Sequence, residues 1–159
     1  MISLAEIGVK VEIYIRGKNK TLTEFARRRG LRVLLDMPSL VEIVPKASAV
    51  VSHGGSGIAH AALLAGRPQL LLPVNAEQQV TATMLQRLGV AVTLPSNVPA
   101  ATLTQSLRKG LTQGRLWTAA KRIAAQVRQL YQPEAHLEAL VEACNGHLIY
   151  SDERQSPKP

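Results

Sequence analysis

Aromatic side chains are scarce: one Trp, one Phe and three Tyr make up 3% of the sequence. That leaves little for the stacking platforms on which single-stranded nucleic acids are read. Cys144 is the one cysteine, so an internal disulfide is excluded, and a reducing compartment, the cytoplasm, is the expected location. No apolar run reaches the length of a membrane span, and Met1 is not followed by a signal-peptide pattern. Acidic residues are few, 11 against 19 Lys and Arg, and the net charge of +8 favours anionic partners. No motif that reads nucleic acid accompanies the charge, so a nucleotide fits it better than an oligonucleotide does.

Apolar residues, by contrast, are plentiful at 46% of 159 positions, enough for one domain with a core. Short apolar strands alternate with helical stretches. Strands are expected at 11–15, 31–35, 49–52, 69–72 and 91–94, and helices at 21–29, 39–46, 57–65 and 77–88. Thr21 with Glu24 and Ser39 with Glu42 read as capping boxes, and Asn75 reads as a third cap. Gly30, Gly66 and Gly89 read as helix stops, and Pro45 limits the second helix. Strands without polar alternation, separated by helices, predict an α/β fold: a Rossmann-like parallel sheet with helices on both faces.

After Pro99 the pattern is all helical, over 101–111, 115–131 and 134–144, and residues 151–159 read as a flexible tail behind a domain spanning 1–150. Trp117, Ile123, Val127 and Leu130 recur at helical spacing and read as core. Residues 1–8 resemble the end of a helix where such a domain opens with a strand. The first strand is therefore expected to be missing, as in a fragment or one half of a split protein.

In this fold ligands bind at the carboxyl ends of the strands. Those ends carry Arg16-Gly17, Asp36-Met37-Pro38, His53 to Gly57, Asn75 to Gln78 and Pro95-Ser96. The stretch Ser52-His53-Gly54-Gly55-Ser56-Gly57 joins a strand to a helix, and free amides at a helix N-terminus suit a diphosphate. It is neither a GxGxxG fingerprint, a Walker loop nor a nucleophile elbow. His60, His136 and His147 lack zinc-ligand spacing with a cysteine, so no metal site is expected. The bland readings are a backbone-bonded structural histidine at 53 and a favourable first-turn acid at Glu77.

These segments, together with Ala62 to Pro68, Leu71 to Pro73, Glu77-Gln78 and Leu88 to Ala91, resemble the C-terminal donor-binding domain of GT-B glycosyltransferases. The UDP-glycosyltransferase and macrolide-glycosyltransferase-like group is the nearest in look, over about residues 5 to 145. The resemblance implies that His53 and the Gly54, Gly55, Ser56 and Gly57 turn hold the donor diphosphate. It implies that Glu77 and Gln78 bind the donor sugar and that Asp36, Met37 and Pro38 line the base. It implies a hexose donor carried on UDP or dTDP, no cofactor, no metal, and a catalytic base on an acceptor domain, so that no catalytic residue is assigned within this chain. Where the family often has a ribose-binding acid the sequence has Ala61, and where it has Thr or Ser after the last glycine it has Ile58. A non-catalytic, truncated or degenerate module and a nucleotide-sugar epimerase-like protein are the competing readings. Basic residues from Arg108 to Arg128 read as a solvated face, or as contact with an anionic membrane or lipid-linked acceptor.

Overall fold

The computed structural model describes residues 10–15, 17, 19–112, 114–130, 138, 141 and 142. The helix-like start at 1–8, Arg16, nearly all of the expected helix 134–144 and the tail 151–159 lie outside them. The chain runs β1 (Glu12–Tyr14), α1 (Lys20–Arg28), β2 (Arg32–Leu34), α2 (Leu40–Ile43), β3 (Val50–Ser52), α3 (Ser56–Leu64), β4 (Gln69–Leu71), α4 (Ala76–Arg87), β5 (Ala91–Thr93), α5 (Ala100–Thr112) and α6 (Gly114–Leu130). All strand pairings are parallel. Each expected strand is present, though its ladder is three residues long.

Among the described residues the strands pair as two sheets. β1 pairs with β2, and β3, β4 and β5 form a second sheet in that order. In the small sheet Glu12 and Arg32 stand opposite one another and join through an Arg32 Nη1 to Glu12 Oε1 bond of 2.8 Å. That pair is largely solvated and contributes at most about 1 kcal/mol.

Helix ends follow local rules, with two departures. α1 is capped by Asn19, whose Oδ1 accepts the Leu22 amide at 3.0 Å. The expected Thr21–Glu24 box does not form, because the helix starts at Lys20 and Thr21 is already inside it. Ser39 stands at the N-cap of α2 but makes no side-chain bond there. Pro45 brings on a single 3₁₀ turn, Val44–Lys46. Asn75 caps α4 as expected, accepting the Gln78 amide at 2.9 Å.

Three helices end alike. Leu31, Arg67 and Val90 donate their amides to Ala26, Ala62 and Leu85, and the glycine before each has positive φ. This is the Schellman turn, in which the left-handed residue is cheapest as glycine. At Gly66 (φ +64°) space adds a second reason: a Cβ there would sit 3.3 Å from the Ala124 methyl and 3.4 Å from Lys121 Cα. Glycine thus lets α6 pass close over the end of α3. Arg128 of α6 then donates through Nε to the Leu64 carbonyl at 3.0 Å, a further acceptor at the same helix end.

The main core lies between β4–β5 and helices α3, α4 and α6. It holds Ala59, Leu71, Ala82, Leu85, Val90, Ala91, Ala120 and Ile123. Alanines supply half of these positions, so the layers approach closely. Burying Leu71 and Val90 completely contributes roughly 1.5–3 kcal/mol each. A smaller cluster of Val44, Val50 and Ala62 sits beneath α2 and α3. Of the expected α6 stripe, Ile123 is core and Val127 packs beside it, whereas Leu130 is 78% exposed. Trp117 is half-buried, with the Arg67 and Lys121 cations 5.2 and 5.4 Å from its ring. No helix among the described residues is long and apolar enough to cross a membrane.

Candidate functional site

β3 ends at Ser52, and three residues carry the chain into α3. Ser52 Oγ accepts the Gly54 amide at 3.1 Å, and Gly54 turns at φ +86°. The Gly55 amide then donates to His53 Nδ1 at 3.1 Å. The side chains before the turn therefore hold its backbone. Sequence reasoning missed this role of Ser52, and its signal is a hydroxyl one residue before the histidine.

That bond defines what the imidazole offers. With Nδ1 accepting, the ring proton is on Nε2, and His53 is exposed rather than turned into the core. The ring folds back so tightly that a Cβ at residue 55 would stand 2.7 Å from His53 Cε1. Gly55 is the N-cap of α3 and contributes no side-chain cap. The amides of Ser56 and Gly57, in the first turn of a nine-residue helix, have no acceptor within it. Nothing lies within 4 Å of a Cβ placed at Gly57, so that flank is open. His60 donates from Nδ1 to the Ser56 carbonyl at 3.1 Å, supporting the same turn from within the helix.

The N-terminus of α4 lies beside this turn. A Cβ on Gly54 would meet the Gln78 carbonyl oxygen at 3.5 Å, so the structure brings the glycine turn and Gln78 together. Gln78 is buried, and its Oε1 accepts the Val74 amide at 2.9 Å, fixing the loop after β4. Glu77 beside it is exposed, in the first turn of α4 where a carboxylate is favoured. Two helix N-termini and one imidazole thus converge at the carboxyl ends of β3 and β4. The arrangement can donate hydrogen bonds to an anion without burying a charge of its own.

Asp36, Met37 and Pro38 follow β2 at the carboxyl end of the other sheet. Asp36 and Met37 are exposed and Pro38 half-buried, and among the described residues no ladder ties their sheet to the glycine turn. Ile58 and Ala61 face inward, packing against Val44, Val50 and Ala62.

Residues 4–143 match the family model described as erythromycin biosynthesis protein CIII-like, C-terminal domain. Elloramycin glycosyltransferase ElmGT of Streptomyces olivaceus is 38% identical over 126 residues, 79% of this chain and 32% of that protein. The glycosyltransferase SnogD from Streptomyces nogalater superimposes with a TM-score of 0.72 at 23% identity, over 89% of this chain and 37% of that one. The glycosyltransferase VinC, solved in complex with dTDP, gives 0.75 at 22% identity over 88% and 35%. The chain spans about a third of the length of these relatives. With the family matched along most of the chain and the fold shared with both structures, the protein belongs to the CIII-like C-terminal domains of GT-B glycosyltransferases.

Proposed function

We propose that this chain binds the nucleotide-diphosphate sugar of a glycosyltransferase that moves a hexose from a UDP- or dTDP-sugar. The observation that carries the reading is the His53 Nδ1 to Gly55 amide bond, which leaves Nε2–H as a donor beside the Ser56 and Gly57 amides. Those donors would hold the diphosphate and stabilise its charge as it departs, without a metal. The Gly55 amide, already bonded to the imidazole, orients the histidine rather than the phosphates. Glu77 would bond hydroxyls of the sugar, and Gln78 would do so through its amide nitrogen while Oε1 holds the loop. Asp36, Met37 and Pro38 would line the base. VinC, of the same fold, was solved in complex with dTDP, which supports a nucleotide as the ligand class.

Catalysis would need an acceptor domain or protein carrying the base, acting in the cytoplasm. The basic surface of α5 and α6 would make at most peripheral contact with an anionic membrane. Titration of the chain with UDP, dTDP and their sugars, followed by melting temperature, tests the reading. A rise with a nucleotide diphosphate that is lost in His53→Ala supports it. No rise with any of them at millimolar concentration rejects it.

One observation favours a second reading, a non-catalytic module that keeps the fold. Ile58 and Ala61, where the family often places polar groups, serve the core. Mixing the chain with an acceptor half and an activated sugar separates the two, since restored transfer removes the second.

A further inference from the structure

The helix α4 is apolar on two sides. Its inner face holds Gln78, Ala82 and Leu85, all buried. Its outer face carries Val80, Met84 and Leu88, which are 61%, 61% and 43% exposed. The threonines flanking that face do not make it polar. Thr81 and Thr83 turn their hydroxyls back onto the Glu77 and Gln79 carbonyls, at 3.3 and 2.8 Å. A surface helix normally sets charged and polar side chains on the side away from its core. Here the middle of that side is built from methyl and thioether groups.

The charges stand at the two ends. Glu77 lies in the first turn of α4 and Arg87 in the last; both are exposed, and neither makes an ion pair among the described residues. Glu77, Val80, Met84 and Arg87 are spaced three, four and three apart. That interval keeps residues on one seam between two helices packed nearly side by side. The seam reads acid, apolar, apolar, base over about 15 Å. Read in reverse, it is its own complement. Two copies of α4 laid antiparallel, about a two-fold axis level with Ala82, put Glu77 of each opposite Arg87 of the other and Val80 of each opposite Met84. A parallel pair would put Glu77 against Glu77 and Arg87 against Arg87.

We propose that the outer face of α4 docks antiparallel on the same face of a second copy of this chain, through the seam of Glu77, Val80, Met84 and Arg87, with Leu88 at its margin. Such a contact uses one patch twice and closes as a dimer. One helix per copy makes an interface below the usual size for a stable complex. The dimer is therefore a weak one, formed at chain concentrations of about 0.1–1 mM. Glu77 is also the proposed contact to the donor sugar. The dimer rests on the seam and is measured without nucleotide, so it stands or falls apart from that reading.

Sedimentation equilibrium of the 159-residue chain tests it, from about 0.02 to about 1 mM at low salt. Monomer is expected to pass to dimer across that range. Met84→Asp, which the single chain tolerates because the side chain is already exposed, should abolish the dimer. Glu77→Arg and Arg87→Glu each turn both end pairs into like charges. Each should weaken self-association about tenfold, and the double reversal should restore it. The two single variants, mixed, should pair with each other rather than with themselves, since every end then meets an opposite charge. A chain that stays monomeric up to about 1 mM overturns the proposal. So does association that Met84→Asp or the single reversals leave unchanged, which places the contact elsewhere. Single reversals that fail to pair when mixed, or growth beyond the dimer, overturn it as well.

Discussion

The His53 imidazole lies folded onto Gly55: it accepts the Gly55 amide at Nδ1, and it occupies the space a side chain at 55 would need. The glycine at 55 is therefore required by the folded-back His53 ring, since its own backbone is ordinary extended chain. Gly55→Ala is expected to push the imidazole off its seat and leave the fold intact. Nucleotide affinity should fall about tenfold, the worth of one hydrogen bond. Calorimetric titration of Gly55→Ala beside His53→Ala checks this. Unaltered affinity in the alanine variant would show that the orientation of the ring does not matter.

Glu77 and Gln78 are neighbours in sequence with different liabilities. Glu77 is exposed, so Glu77→Ala should weaken sugar-nucleotide binding while changing stability by under about 0.5 kcal/mol. Gln78→Leu leaves the Val74 amide without its acceptor in a half-buried loop, which costs roughly 1–3 kcal/mol. Chemical denaturation of both variants separates a ligand contact from a loop support.

The cap of α1 offers a direct comparison. Asn19→Ala should cost about 1 kcal/mol and speed amide exchange in the first turn. Thr21→Ala and Glu24→Ala should do neither, since neither residue makes the cap. Exchange rates at Leu22 and Thr23 decide between them.

α3 and α6 depend on one glycine and one arginine. Gly66→Ala forces a methyl into contact with Ala124 at a left-handed position and should destabilise by about 1–3 kcal/mol. Arg128→Ala removes the bond to Leu64 and should cost about 1 kcal/mol, with Lys restoring part of it. Gly17, also left-handed but with nothing within 4 Å, should tolerate alanine better than Gly66. Thermal melts of the three variants order these effects.

Features set by local chemistry are legible in the sequence. Glycine stops at 30, 66 and 89, the Asn75 cap and the break at Pro45 each act within a few residues, and all occur where expected. The glycine turn is legible too, as a strand running into a helix. The rest depends on residues far apart in the chain. The division of the strands into two sheets is decided by which edges meet, and no window of sequence holds that. The use of the Gly55 amide by His53, and of the Gln78 carboxamide by Val74, follows from side-chain direction. Leu130 fits a helical stripe by spacing but lies beyond the end of the core it would cover. At α1 the expected Thr21 cap gives way to Asn19, two residues earlier, because the helix already begins at Lys20.

The helix that opens with the glycine turn is braced at its other end by residues 120 to 128, more than fifty positions later. An emerging chain that has reached residue 78 owns every atom of the proposed anion cradle but not the brace that steadies it. The cradle should thus become rigid late in synthesis, when α6 has left the ribosome and swung back across the alanine layer. Shortening the protein from its far end would loosen a proposed binding surface that none of the removed residues touches.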